Sequence, residues 1–130
     1  MARGIALHQT YWRALGGWRP ESWDLLFAVL AGGEVVGVQS LDGRDFARRR
    51  TLETWSFLLP AARGRGLGKE MRRAVLALAF DHLGALAGEI EDGVDLMLRM
   101  RLTRERWRAS GGAPDVAVTG VEACRYLFGR

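Results

Sequence analysis

A mixed α/β fold, with a mostly antiparallel sheet and one long helix packed on it, is what this 130-residue sequence predicts. Three observations carry that expectation. Two apolar runs, Trp23 to Leu30 and Glu34 to Leu41, are joined by Gly32-Gly33, a hairpin turn signal. A third run, Thr51 to Leu59, is rich in β-branched and aromatic residues. A glycine-rich loop then opens a stretch reaching Leu83, in which Leu67, Met71, Val75, Leu78 and His82 recur at helical spacing.

Leu7 to Leu15 reads as a short amphipathic helix, with Leu7, Tyr11 and Leu15 on one stripe, ended by Gly16-Gly17. The first three strand-like runs form an antiparallel meander, and Asp42 to Arg50 is a polar connection within it. After the loop, Leu76, Ala79, Phe80 and Leu83 widen an apolar face suited to packing on a sheet. His82 reads as a helix-end histidine. Gly84 and Gly88 break the helical pattern. Val94 to Leu102 alternates apolar and polar residues, which predicts an edge or antiparallel strand. Thr103 precedes Glu105 and Trp107 as the N-cap of a short helix. Ser110 to Pro114 is a loop, Val116 to Val121 a last short strand, and Glu122 to Phe128 a terminal turn or helix.

The chain is long enough for one domain spanning 1–130 with a real core. No apolar run reaches the ~20 residues of a membrane-spanning helix. The N-terminal residues lack the apolar core of a signal peptide. A lone cysteine, Cys124, excludes an intrachain disulfide and a cysteine metal cluster, so a cytoplasmic setting is expected. The net charge of +4 invites a nucleic-acid partner. The basic residues are interleaved with acids, however, and only Arg48-Arg49-Arg50 is dense, which reads first as a solvated edge.

The run Arg63-Gly64-Arg65-Gly66-Leu67-Gly68-Lys69 carries the chemistry. Its glycines permit a tight turn with exposed N–H groups, and a helix starting there aims unpaired donors and its positive dipole end at one spot. That suits a phosphate or pyrophosphate. A P-loop needs a glycine six residues before its lysine and a hydroxyl residue after it; Arg63 and Glu70 stand there. A dinucleotide fingerprint starting at Gly64 or Gly66 would need a glycine where Lys69 or Met71 sits.

What remains is Arg-x-x-Gly-x-Gly between a strand and an apolar helix, and here the sequence resembles the GNAT family of N-acetyltransferases. The resemblance covers Trp23 to Gly84. Glu53-Thr54-Trp55-Ser56-Phe57-Leu58, with the loop that follows, is similar to the ribosomal-protein alanine acetyltransferase-like branch. The resemblance implies an acyl-CoA N-acyltransferase-like fold and acetyl-CoA as cosubstrate, held by Leu58, Leu59, Arg63, Gly64, Arg65, Gly66, Leu67, Gly68 and Lys69. It implies no metal. It further implies acetyl transfer to a primary amine, of a small molecule or a protein N-terminus, by direct attack in a ternary complex. Glu53 is the expected base, on a largely apolar face with Trp55, Phe57 and Leu59 that would raise its pKa. Ser56 is an orienting or relay hydroxyl.

Family members also carry a strand after the cofactor helix, then a helix bearing an asparagine and a tyrosine, the tyrosine serving as acid. This chain has no asparagine, and its tyrosines are Tyr11 and Tyr126. The expectation is therefore a shortened, incomplete fold lacking that strand, with Val94 to Leu102 or a second subunit of a homodimer filling its place. A non-catalytic CoA-binding or protein-interaction module is the alternative, and an RNA-binding module using Arg48 to Arg50 with Arg63 to Arg65 a further one.

Overall fold

The computed structural model describes residues 2–92 and 98–130. Among them, five strands form one sheet in the order β1-β2-β3-β4-β5. Helix α1 (Ala2–Gly16) precedes β1 (Trp23–Ala31) and β2 (Glu34–Gly43). These strands are joined at Gly32-Gly33, where both glycines have positive φ, as a two-residue hairpin turn demands. A short helix, α2 (Phe46–Arg49), leads into β3 (Thr51–Leu58), antiparallel to β2. The meander is as expected. The polar connection 42–50 is less polar in space than in sequence: Phe46, flanked by charges, is wholly buried against Trp23.

Helix α3 (Leu67–Ala77) continues as a π-helical turn, Leu78–His82. It buries Met71, Val75, Leu76, Leu78 and Phe80 on one face of the sheet, the stripe read from the sequence. Gly84, at φ +73°, then turns the chain into β4 (Ala87–Asp92), which pairs parallel to β3. This corrects the expectation of a missing strand. Gly88 lies inside β4 beneath the Phe80 ring, 3.8 Å from where a Cβ would stand, so a residue that reads as a breaker is a packing position.

Strand β5 (Leu98–Thr103) pairs antiparallel to β4. The start of the predicted Val94–Leu102 strand, residues 94–97, falls outside the described residues. Thr103 caps α4 (Arg104–Ala109) by accepting the Arg106 N–H at 3.2 Å. The strand expected over Val116–Val121 does not form. Val116 and Val118 instead pack against the core from an irregular segment, so their alternation reflects contact with the core without a ladder. The chain closes in a 3-10 helix, Glu122–Phe128, whose Phe128 joins Trp18 and Trp23 in an aromatic cluster.

Register sorts the two faces of the sheet. Trp23, Gly43, Leu52, Gly88 and Leu102 are successive cross-strand partners beneath α3. One residue along each strand, Asp24, Asp42, Glu53, Glu89 and Arg101 are partners on the opposite, outer face. Helix α1 lies over part of that face, where Thr10, Arg13 and Ala14 share a cavity with Asp24, Leu26, Asp42 and Trp55. Tyr11 and Leu15 of its predicted stripe stay half-exposed.

Candidate functional site

The loop between β3 and α3 is built to present backbone donors. Gly64 and Gly66 have φ of +78° and +76°, a region that penalises any side chain. The first helical bond of α3 runs from Glu70 N–H to Gly66 O, so the N–H groups of Leu67, Gly68 and Lys69 precede it. No side chain caps this end. Arg63, Arg65 and Lys69 stand exposed around it. A Cβ on Gly68 would meet no atom of the chain within 4 Å. Fold sterics alone therefore leave glycine at that helical position unexplained.

The strand leading into the loop runs on past the end of its described pairing with β4. Leu59 N–H donates to Val36 O at 2.8 Å. By antiparallel alternation, the backbone groups of Ser56 and Leu58 therefore turn away from β2 toward β4. Pairing with β4 ends at Trp55↔Glu91, so no described strand residue pairs with them. Arg63 Nε donates to Leu58 O at 3.1 Å, and its guanidinium lies 5.9 Å from the centre of the Phe57 ring. Loop and strand edge form one continuous polar track. Leu58 lies on it. Leu59 spends its N–H on Val36 and its carbonyl on Ala62, leaving a half-exposed side chain.

Glu53 and Ser56 point to opposite faces of β3, as their odd spacing requires. Ser56 turns inward and donates to Gln39 Oε1 at 2.7 Å. Glu53 turns outward, and its surroundings differ from the apolar face expected from alternation. It lines a cavity of about 90 Å³ with Asp42, Glu89, Arg44, Arg49 and Arg101. The carboxyl that burial pushes up is Asp42, to about 7; the adjacent Asp24 carboxylate and, more weakly, Glu53 add to the rise, and Arg44 opposes it. Arg44 Nη2 stands 2.8 Å from Asp24 Oδ1. Asp42 also lines the cavity of about 260 Å³ under α1. Sequence reasoning missed Asp42, because strand periodicity shows which residues share a strand's face and not which residue of another strand lies beside them.

A third cavity, about 300 Å³ and mostly apolar, lies between α3 and the sheet, lined by Phe27, Val29, Gln39, Met71, Leu78 and Val118. It is on the face opposite the carboxylates. Tyr126 is exposed on the terminal 3-10 helix and Tyr11 half-exposed on α1.

Residues 3–94 match the model of the Acetyltransferase (GNAT) family. The chain belongs to the GNAT acetyltransferase family. The fold of this GNAT acetyltransferase recurs in solved structures. The spermidine N-acetyltransferase of Vibrio cholerae, crystallised in complex with CoA and spermine, superposes with a TM-score of 0.61 at 14% identity, over 78% of this chain and 76% of that one. A candidate acetyltransferase from T. thermophilus superposes with a TM-score of 0.56 at 20% identity, over 73% of this chain and 66% of that one. The spermidine N-acetyltransferase SpeG K23-Q34 chimera from Vibrio cholerae and hSSAT gives 0.55 at 14% identity, over 66% of this chain and 72% of that one. At these identities the likeness is one of fold: a mixed, mostly antiparallel sheet with helices, as the GNAT architecture has. No described helix of this acetyltransferase is long and apolar enough to cross a membrane.

Proposed function

We propose that this chain moves an acetyl group from acetyl-CoA to a primary amine by direct attack in a ternary complex. The observation that carries this reading is the continuity of the α3 N-terminus with the end of β3 at Ser56 and Leu58, beyond its described pairing with β4. The pyrophosphate would sit on the N–H groups of Gly66 to Lys69, with Arg63, Arg65 and Lys69 offsetting its charge. The pantetheine arm would run back along β3, bonding to the backbone of Leu58 and Ser56.

Length supports this placement. From phosphorus to sulfur the arm has about thirteen bonds, each advancing ~1.2 Å, or ~16 Å extended. At ~3.3 Å per strand residue, that is about five residues, from Leu59 back to Thr54. The thioester then ends beside Glu53, at the border of the outer-face carboxylates. Those carboxylates suit a cationic amine. The Vibrio cholerae relative, crystallised with spermine, is a polyamine-class precedent, and the resemblance of Glu53–Arg72 to the alanine acetyltransferase-like branch favours a protein N-terminus. In this reading Glu53 meets the incoming amine, and a carboxylate of its row relieves the ammonium of a proton before attack.

Calorimetric titration with acetyl-CoA tests the cosubstrate, with Gly66→Glu as the non-binding control. Saturable binding that the substitution abolishes is expected; no heat at millimolar acetyl-CoA rejects the reading. Thiol release with alkylamines, polyamines and peptides then tests transfer. Binding without release would favour the non-catalytic module, a reading to which the exposed positions of both tyrosines lend support.

A further inference from the structure

We propose that Asp42 is the proton acceptor of this acetyltransferase and that Glu53, its cross-strand partner, holds the amine. The inference rests on acetyl transfer at the site described above and assigns its base. It stands on geometry. Asp42 belongs to β2, one strand away from the path traced along β3, and is the direct partner of Glu53 in the ladder. It borders both outer-face cavities, the one under α1 and the one shared with Glu53 and Glu89. An amine seated over Glu53, within one ~4.8 Å strand spacing of Asp42, has a carboxylate on each side.

Charged groups face Asp42 from every element around it. On β1, Asp24 faces it directly and is held by Arg44 from the end of β2. From β3 comes Glu53, from α1 Arg13, from α2 Arg49, and from β4 and β5 Glu89 and Arg101. Burial and the Asp24 carboxylate outweigh Arg44 and lift Asp42 to about 7. A base with that value is ionised just above neutrality yet basic enough to take a proton from an ammonium near it.

The step balances. The alkylammonium gives one N–H proton to an Asp42 carboxylate oxygen. The freed nitrogen lone pair attacks the thioester carbonyl, and the C–N bond forms as the C–S bond breaks. The second proton on nitrogen passes to the departing thiolate through water, yielding amide and free thiol. Asp42 returns its proton to solvent.

The test is the pH dependence of kcat/KM for thiol release with an alkylamine, whose own ionisation lies near 10. An acid limb near pH 7 is expected in the unaltered protein. In Asp42→Asn that limb disappears and the rate falls about 100-fold, while acetyl-CoA binds as before by calorimetry. In Asp24→Asn the limb moves down by roughly one pH unit, because a like charge and its hydrogen bond are removed. In Glu53→Gln the amine KM rises and the limb stays. A limb that persists in Asp42→Asn, or one that vanishes in Glu53→Gln, overturns the assignment while leaving acetyl transfer intact. Acetyl-CoA binding with no amine acetylated at any pH overturns the assignment and the transfer reading together.

Discussion

Ser56 donates its hydroxyl to Oε1 of its ladder partner Gln39 at 2.7 Å, beside a stretch where the β2–β3 ladder lapses. The strands pair at Gly37 to Gln39 and again at Asp42 and Gly43, while Ser40 and Leu41 between them do not pair with Thr54 and Trp55. Side chains complete the ladder. Gln39 Nε2 donates to Trp55 O at 2.9 Å and to Thr54 Oγ1, Thr54 Oγ1 donates to Ser40 O, and Trp55 N–H reaches Ser40 Oγ at 3.3 Å. The strand that leads to the glycine loop thus hangs on a buried amide.

Gln39→Leu should therefore cost more than its change in volume suggests. It takes the Gln39 partner from the Ser56 hydroxyl and the Trp55 oxygen and a donor from Thr54 Oγ1, which keeps its bond to Ser40 O, at roughly 2–3 kcal/mol. Ser56→Ala removes one bond and should cost about 1 kcal/mol. Urea unfolding of both variants checks the ranking; equal costs would mean that the network does not act as a unit.

Gly66 and Gly68 should respond in opposite ways to alanine. At Gly66, φ of +76° makes a side chain costly, by about 1–2 kcal/mol of fold stability. At Gly68 the new methyl meets nothing in the chain, so helix propensity should raise stability by about 0.5–1 kcal/mol. Acetyl-CoA affinity should nonetheless fall about tenfold in Gly68→Ala, because the methyl occupies the ligand's approach. Thermal unfolding and calorimetry on the same sample measure both effects. A stabilised variant with undiminished affinity would move the pyrophosphate elsewhere.

The Asp42 carboxyl makes a stability prediction that needs no ligand. Its folded value of about 7 lies above the ordinary 3.8 of the unfolded chain. Between those values the folded state holds the extra proton, so stability falls as pH rises through that window. Asp42 keeps considerable contact with solvent, so screening limits the loss to about 1–2 kcal/mol. Asp42→Asn, which can still donate to Asp24, should match the unaltered protein near pH 4 and melt about 3–8 °C higher at pH 8. Paired melting curves at the two pH values decide it; a constant difference would show that Asp42 does not titrate in the window.

Phe128→Ala should unfold the far end of the sheet from the loop. The Phe128 ring meets Trp18 and Trp23 edge-on at 5.3 and 4.9 Å, and the Trp18 indole N–H donates to Leu127 O at 2.7 Å. Losing this ring from a filled cluster should cost about 3–5 kcal/mol. Tryptophan emission during unfolding reports it directly. A cost below about 1 kcal/mol would mean that the terminal 3-10 helix is an accessory and not part of the core.

The hairpin, the third strand, the helix stripe and the Thr103 cap were legible in sequence because each depends on neighbours a few residues away. Strand β4 was not. Its Gly88 and its acids Glu89, Glu91 and Asp92 carry no apolar alternation, and it becomes a strand by pairing with β3 beneath Phe80. Val116 to Val121 erred the other way: alternation sufficed for packing but found no partner strand. The apolar setting expected for Glu53 failed because Trp55 and Phe57, its companions on the outer face, are partly exposed, while its lateral neighbours across the ladder are charged.

The glycine loop was determined by the sequence alone. Left-handed φ at Gly64 and Gly66 and the free amides that follow are local stereochemistry, set within a few residues of Arg63. The row Asp24, Asp42, Glu53, Glu89 and Arg101 was decided only in three dimensions. Those residues are spread over most of the chain, and what aligns them is the burial of Trp23, Leu41, Leu52, Phe80 and Ile90 in the core on the opposite face. A slip of one residue in any ladder would turn these side chains to the wrong face, so the packed core sets the register and the register sets which carboxylates meet.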